Sequence, residues 1–341
     1  MTQTQAVPSS SLSSPLWITR ARRLRWALAA LLALIALLLP FGLQPYNVLR
    51  LTLVLIFGIS IMGLNLLTGY AGQISLGHGA FFAVGAYVTA ITCNEWSSPF
   101  AVALPASLVV TFVLGGLIGI PALRIRGVYL GVITLALAII VPSLVKRFDS
   151  VTGGAQGLRV PQLQAPAWSG LGGDQWTYFV VLVVCVLVFL GARNLTHGHI
   201  GRAMVAVREN ELAASANGVD VVQVKLVSFA VSAALAGLAG GLYAIVVGYV
   251  APDSFTLLLS INLLAGMVVG GAGSIAGPLI GAVFIEYTPI VTSGFNQALG
   301  GMIYGLVIVV VMLLFPKGVV GLGELVAARL PWTRPDQGVR R

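Results

Sequence analysis

Few residues in this chain can do chemistry, and nearly all of them lie in apolar surroundings. Asn65, Gln73, Ser75 and His78 fall within one glycine-punctuated, uncharged stretch from Leu64 to Phe82. Hydrogen-bonding side chains at membrane depth either tie helices together or line a passage for a polar solute. His78, with Gly77 and Gly79 on either side, reads as the cap of a broken helix or as a path residue. Glu286 is the one carboxylate well inside an apolar run, about 16 Å from its start at Ile275 on a helical rise. It is either a proton carrier or a glutamate bonded to a neighbouring helix. Enzyme chemistry finds no support, with no HExxH, no paired aspartates in apolar runs and no convincing Ser–His arrangement. Cys93 and Cys185 have neither a metal spacing nor a disulfide framework.

The elements that must position these residues follow from composition. The 341 residues are 58% hydrophobic and 9% charged, with a mean hydropathy of +0.98. Soluble domains are about 25% charged, so this chain cannot cover a water-facing surface. A hydrocarbon core of roughly 30 Å needs about 20 apolar residues as helix. That ruler predicts spans near 26–43, 48–68, 72–93, 100–121, 127–145, 177–192, 227–249, 255–271, 275–293 and 300–315. The runs are too long and unbroken for barrel strands. The expected fold is therefore an all-α polytopic helical bundle of about ten spans (eight to ten) in a lipid bilayer. Residues 26–320 form its transmembrane domain, with tails at 1–25 and 321–341. The first apolar run is long enough to span and no small-residue cleavage site follows it, so it reads as a retained helix.

Charge orients the bundle. With the amino terminus inside, ten spans put 15 of the 19 basic residues on the cytoplasmic side, and both termini there. The exceptions are Arg50, Lys146, Arg147 and Arg159. The net charge of +9 does not mark a nucleic-acid binder, because the basic residues sit at span ends rather than in a groove. Two loops exceed connector length: an external one at 146–176 and a cytoplasmic one at 193–226. Within the second, residues 202–218 are rich in helix formers and stop at Asn217-Gly218. They read as a solvated interfacial helix or as a helix offering small residues (Ala213, Ala214, Ala216) to a partner. No glycine-rich phosphate loop ending in Lys-Ser or Lys-Thr is present, so a transporter built on this chain must draw work from an ion gradient or a partner.

Small residues recur at four-residue spacing: Gly273, Gly277 and Gly281; Ala233, Gly237 and Gly241; Gly266 and Gly270. Such rows let helix backbones approach closely. Alternatively, Gly77, Gly79 or Pro278 break helices to expose backbone groups to a solute. Gly-x-Ala-Gly-x-Ile occurs twice, from Gly69 and from Gly270.

Four segments carry a resemblance. They are Gly69-Tyr70-Ala71-Gly72-Gln73-Ile74-Ser75-Leu76-Gly77-His78, Thr152-Gly153-Gly154-Ala155-Gln156-Gly157-Leu158, residues 207–214 (Val-Arg-Glu-Asn-Glu-Leu-Ala-Ala) and residues 270–278 (Gly-Gly-Ala-Gly-Ser-Ile-Ala-Gly-Pro). In this order, from about Asn47 to Gly321, the chain resembles the permease subunits of branched-chain amino-acid ABC importers, the M-type above all. The resemblance implies a transmembrane permease in the bacterial cytoplasmic (inner) membrane and a heterodimer with a second permease subunit. It also implies two cytoplasmic ATPase subunits and an external solute-binding protein. ATP and Mg would reside in the ATPases, with no cofactor in this chain. The cytoplasmic loop would be the coupling helix, carried by Arg208, Glu209, Glu211, Ala213, Ala214 and Gly218. The expected substrate path is Asn65, Gln73, Ser75, His78 and Glu286. Lys146, Arg147 and Arg159 either contact acidic lobes of the binding protein or are ordinary loop charge. The competing expectation is a stand-alone proton-coupled transporter using Glu286.

Overall fold

The computed structural model describes residues 31, 34–122, 128–295, 300–314 and 318–321. The tail expected at 1–25, residues 322–341, and the basic residues Arg124, Arg126 and Lys317 lie outside the described residues. The architecture is a helical bundle. Its elements are α1 (34–42), α2 (Pro45–Leu64) continued by a π-helical turn (Asn65–Tyr70), α3 (His78–Glu95), α4 (Phe100–Ala122) and α5 (Val128–Arg147). Next come a single turn α6 (Asp149–Thr152), β1 (Leu158–Arg159), α7 (Gly173–His197), α8 (His199–Glu209) and α9 (Glu211–Ala216). The chain closes with α10 (Val221–Val247), β2 (Tyr249–Val250), α11 (Leu257–Gly270), α12 (Gly277–Phe295) and α13 (Gly300–Leu314).

Five described helices are long and apolar enough to cross a membrane: Pro45–Tyr70, Phe100–Pro121, Tyr129–Arg147, Gly173–His197 and Val221–Val247. Burial sorts them. The apolar windows of α2 and α10 are 72% buried, against 22%, 22% and 17% for α4, α5 and α7. The bundle is therefore built around α2 and α10, with α4, α5 and α7 turning apolar faces outward, such as Val109, Val113 and Leu117. An apolar exterior of this extent is at rest only in lipid, so this is a multi-pass membrane protein.

Small residues set the centre. A Cβ on Gly240 of α10 would overlap the Phe82 carbonyl of α3, and one on Gly85 would overlap the backbone of Gly237. Likewise Gly281 of α12 lies against the backbone of Gly266 in α11. The glycine rows thus act in packing, where backbone proximity rather than hydrophobicity holds helices together in lipid. Above this contact, Phe82 meets Tyr243 and Phe255 in an aromatic cluster, with ring centroids 5.5 and 6.0 Å away.

Among the boundaries that differ from the sequence expectation, two bear on the site. The span expected over 72–93 begins as helix only at His78, and residues 71–77 are non-helical. The helix expected over 202–218 is two helices that meet at Asn210. Asn210 is extended (φ −160°, ψ 110°) and its side chain accepts from the Ala213 amide, which starts α9 anew. A good N-cap competes with helix continuation even among strong helix formers. The stop at Gly218 holds, with φ +82°.

Candidate functional site at the helix breaks

Four of the buried polar residues, Asn65, Gln73, Ser75 and His78, lie in or just after the π-helical turn that ends α2. Asn65, fully buried, spans a gap between elements. Its Oδ1 accepts from the Gly273 amide and its Nδ2 donates to the Ser274 carbonyl, both at 2.7 Å. It therefore ties the end of α2 to the turn between α11 and α12. That turn and the one after α2 are the two copies of Gly-x-Ala-Gly-x-Ile. In both, the fourth residue is left-handed, Gly72 at φ +71° and Gly273 at φ +78°. A residue with a Cβ is strained there, which explains the glycine in each copy. Each copy leads into a new helix, α3 or α12, and the two turns touch through Asn65.

The non-helical stretch 71–77 is packed against other elements rather than open. Thr68 Oγ1 donates to the Gln73 carbonyl at 2.8 Å, and Gln73 Nε2 to the Lys225 carbonyl at 3.2 Å. The Leu76 amide donates to Thr134 Oγ1 of α5 at 2.9 Å, and the Gly77 amide faces Ser75 Oγ at 3.4 Å. The Gly79 amide donates to Ser260 Oγ of α11 at 3.0 Å. His78 is buried, with Nε2 2.8 Å from the Ser60 carbonyl of α2. The orphan amides that open α3 are thus met by neighbouring helices, as a helix start away from water requires. Asn65, Gln73, Ser75 and His78 are brought together, and each is engaged by protein. Among the described residues, Ser60 Oγ and Ser232 Oγ have no hydrogen-bond partner in the interior.

A cationic side chain reaches this junction from outside the spans. Arg208, on the last turn of α8, donates from Nη1 to the Gly69 carbonyl at 2.6 Å and from Nη2 to Glu209 at 2.7 Å. Its stem lies over Gly72, where an added Cβ would come within 2.6 Å of Arg208 Cγ. Glu211, at the start of α9, pairs with Lys225 of α10 at 2.5 Å. These two charged contacts dock the α8–α9 elbow on the bundle. Ala214 is buried beneath it, while Leu212 (78% exposed), Ala213 and Gly218 face outward. The sequence marked Arg208 for the elbow and Gly69 for the helix break, but no spacing signalled that they touch.

A family model described as branched-chain amino acid transport system / permease component matches residues 47–312. The chain belongs to this family. Among its relatives is the high-affinity branched-chain amino acid transport system permease protein LivM of Salmonella typhimurium, 34% identical over 330 residues, covering 89% of this chain and 75% of the relative. LivM of Escherichia coli K12 is 33% identical over 334 residues, covering 91% and 75%. LivH of Salmonella typhimurium is 24% identical over 292 residues, covering 79% and 92%. No solved structure matches.

The remaining sequence candidates lie on other elements. Glu286, mid-way along α12, is held by Arg50 Nη1 of α2 at 2.7 Å, and Arg50 also donates to the Tyr46 hydroxyl and lies over its ring. The two residues singled out separately, a lone intramembrane carboxylate and a misplaced arginine, are partners. At the end of α5, Lys146 pairs with Asp253 at 2.7 Å. Arg147 and Arg159 are exposed and without a carboxylate partner among the described residues. Arg159 stands in β1, which pairs antiparallel with β2 after α10. The loop expected at 146–176 is thereby stitched to the end of a central helix.

Proposed function

We propose that this chain is the M-type permease subunit of an ATP-driven importer for leucine, isoleucine and valine in the bacterial cytoplasmic membrane. It forms a heterodimer with a second, H-type permease, in keeping with the similarity to both LivM and LivH. Two cytoplasmic ATPase subunits hold ATP and Mg, and an external binding protein delivers the solute. About ten spans, with both termini cytoplasmic, follow from the distribution of arginine and lysine.

The observation that carries the coupling role is the Arg208–Gly69 contact. The α8–α9 elbow offers Leu212 and Ala213 outward to an ATPase, and Arg208 behind it grips the turn that ends α2. Movement of the elbow is passed to Gly69, and through Asn65 to the α11–α12 turn, so one displacement reaches two pairs of helices. Rigid elements joined at such turns suit rigid-body alternation of access. The pairing of Glu286 with Arg50 favours this reading over a proton-coupled transporter, because the one candidate carrier is already engaged. Asn65, Gln73, Ser75 and His78 then act as the packing of the junction, beside the passage rather than as its free lining.

Leucine uptake into proteoliposomes holding the permease pair and ATPases tests the reading. Uptake that requires internal ATP and the binding protein, and survives a proton uncoupler, is the expected result. Uptake by this chain alone, lost on uncoupling, would overturn it.

A further inference from the structure

We propose that a cleft at the outer ends of α2, α7 and α10 binds the ammonium group of an aliphatic amino acid before it enters the passage. The cleft lies among the first turns of α2 and α7 and the last turn of α10, with Gln162 and Leu163 of the long loop also lining it. These helix ends lie away from the α8–α9 elbow, because α7 runs from the cleft to His197 and α8 follows at once. In the orientation proposed above the cleft therefore opens to the outside, where the binding protein delivers solute, and the inference rests on that reading. Its volume is about 70 Å³. A water needs about 10–15 Å³ of such space, so the cleft takes about five water-sized groups. An ammonium on a short branched chain is of this size.

The lining selects that chemistry. Leu49, Leu163, Ile245 and Val246 give the cleft aliphatic surface. Its polar groups are mostly acceptors. Asp174, exposed at the start of α7, has no cationic partner among the described residues. Thr52 Oγ1 donates its proton to the Val48 carbonyl at 2.8 Å, and Thr177 Oγ1 donates to the Gly173 carbonyl at 2.8 Å. Each hydroxyl is left with only lone pairs to offer. Gln162, whose side chain lies over Gly248 at the end of α10, adds an amide that both accepts and donates. No lysine or arginine lines the cleft. A carboxylate and two acceptor hydroxyls call for a donor, and a primary ammonium brings three N–H groups and a positive charge. A hard metal ion suits the cleft less well, since it takes about six oxygens and has no use for aliphatic surface.

The test follows cysteine labelling of the full-length chain in detergent, without ATP or partner subunits. Leu163→Cys puts a thiol in the cleft, and Cys93 and Cys185 are buried, so a water-soluble maleimide reports on the cleft. If that variant fails to fold, Gln162→Cys at an exposed position is the second reporter. L-Leucine should slow labelling, and so should 3-methylbutylamine, which keeps the ammonium and the branched chain. 4-Methylpentanoate, which lacks the ammonium, should not. Asp174→Asn should raise the leucine concentration for half-protection about five-fold, as suits an exposed charge pair. No protection by leucine, equal protection by 4-methylpentanoate, or an unaltered titration in Asp174→Asn would overturn the proposal. So would protection that appears only when solute-free binding protein is added, since a protein side chain would then be the occupant. Labelling needs neither ATP nor import, so its failure leaves the importer reading standing, and ATP-independent uptake would strike that reading without altering the labelling.

Discussion

Truncating Arg208 to alanine should separate ATP hydrolysis from solute uptake. The guanidinium donates to the Gly69 carbonyl at 2.6 Å, and this is the charged contact between α8 and the turn that ends α2. A hydrogen bond from a charged group contributes about 1.5–3 kcal/mol. The Arg208 side chain is 38% exposed, so water replaces part of the loss and the lower end, about 1.5 kcal/mol, applies. If that contact holds the elbow and the bundle in register, its loss shifts the coupled population by roughly ten-fold. Uptake per ATP hydrolysed should fall by that factor in proteoliposomes, with basal hydrolysis retained. Arg208→Lys should recover only part, because an ammonium cannot hold the carbonyl and Glu209 with the same planar fork. Gly72→Ala should reproduce the defect from the other side. It places a Cβ within 2.6 Å of the Arg208 stem at a residue with φ +71°. Wild-type uptake per ATP in Arg208→Ala would refute transmission through this contact.

Three further outcomes are expected. Glu286→Gln should destabilise the bundle by about 2–3 kcal/mol, between the values for exposed and buried pairs, and Arg50→Gln in the same chain should restore most of it, read by thermal unfolding. Loss of uptake in Glu286→Gln with unchanged melting would instead speak for a proton carrier. Gly240→Ala should cost about 1–3 kcal/mol, because its Cβ meets the Phe82 carbonyl; an unchanged melting temperature would mean that α3 and α10 separate freely. Reversing Arg147 and Arg159 to glutamate should raise the binding-protein concentration needed for half-maximal uptake, and an unaltered titration would remove them from docking.

Much of the bundle was legible because apolar run length answers directly to bilayer thickness. The start of α3 was not. Residues 72–77 are uncharged and sit between apolar runs, and they stay non-helical while Thr134 and Ser260, far away in the chain, meet the amides around the break. The elbow was half legible. Its helix formers and its stop at Gly218 were visible, whereas the break at Asn210 depends on a side-chain cap that outcompetes helix continuation. Among the site residues, Asn65, Gln73, Ser75 and His78 were marked by being polar in apolar surroundings. Composition carries no sign of whether such a group faces solute or protein.

By itself the sequence determined that the chain is an all-helical membrane bundle and which family it resembles. These properties are local or additive along the chain. The tertiary structure alone decided that Glu286 answers Arg50, that Asn65 reaches a glycine turn 208 residues away, and that Arg208 reaches Gly69. Each is a short-range interaction between residues distant in sequence. Hydrogen bonds and ion pairs act over a few ångströms, so only the packing of helices brings their partners within reach.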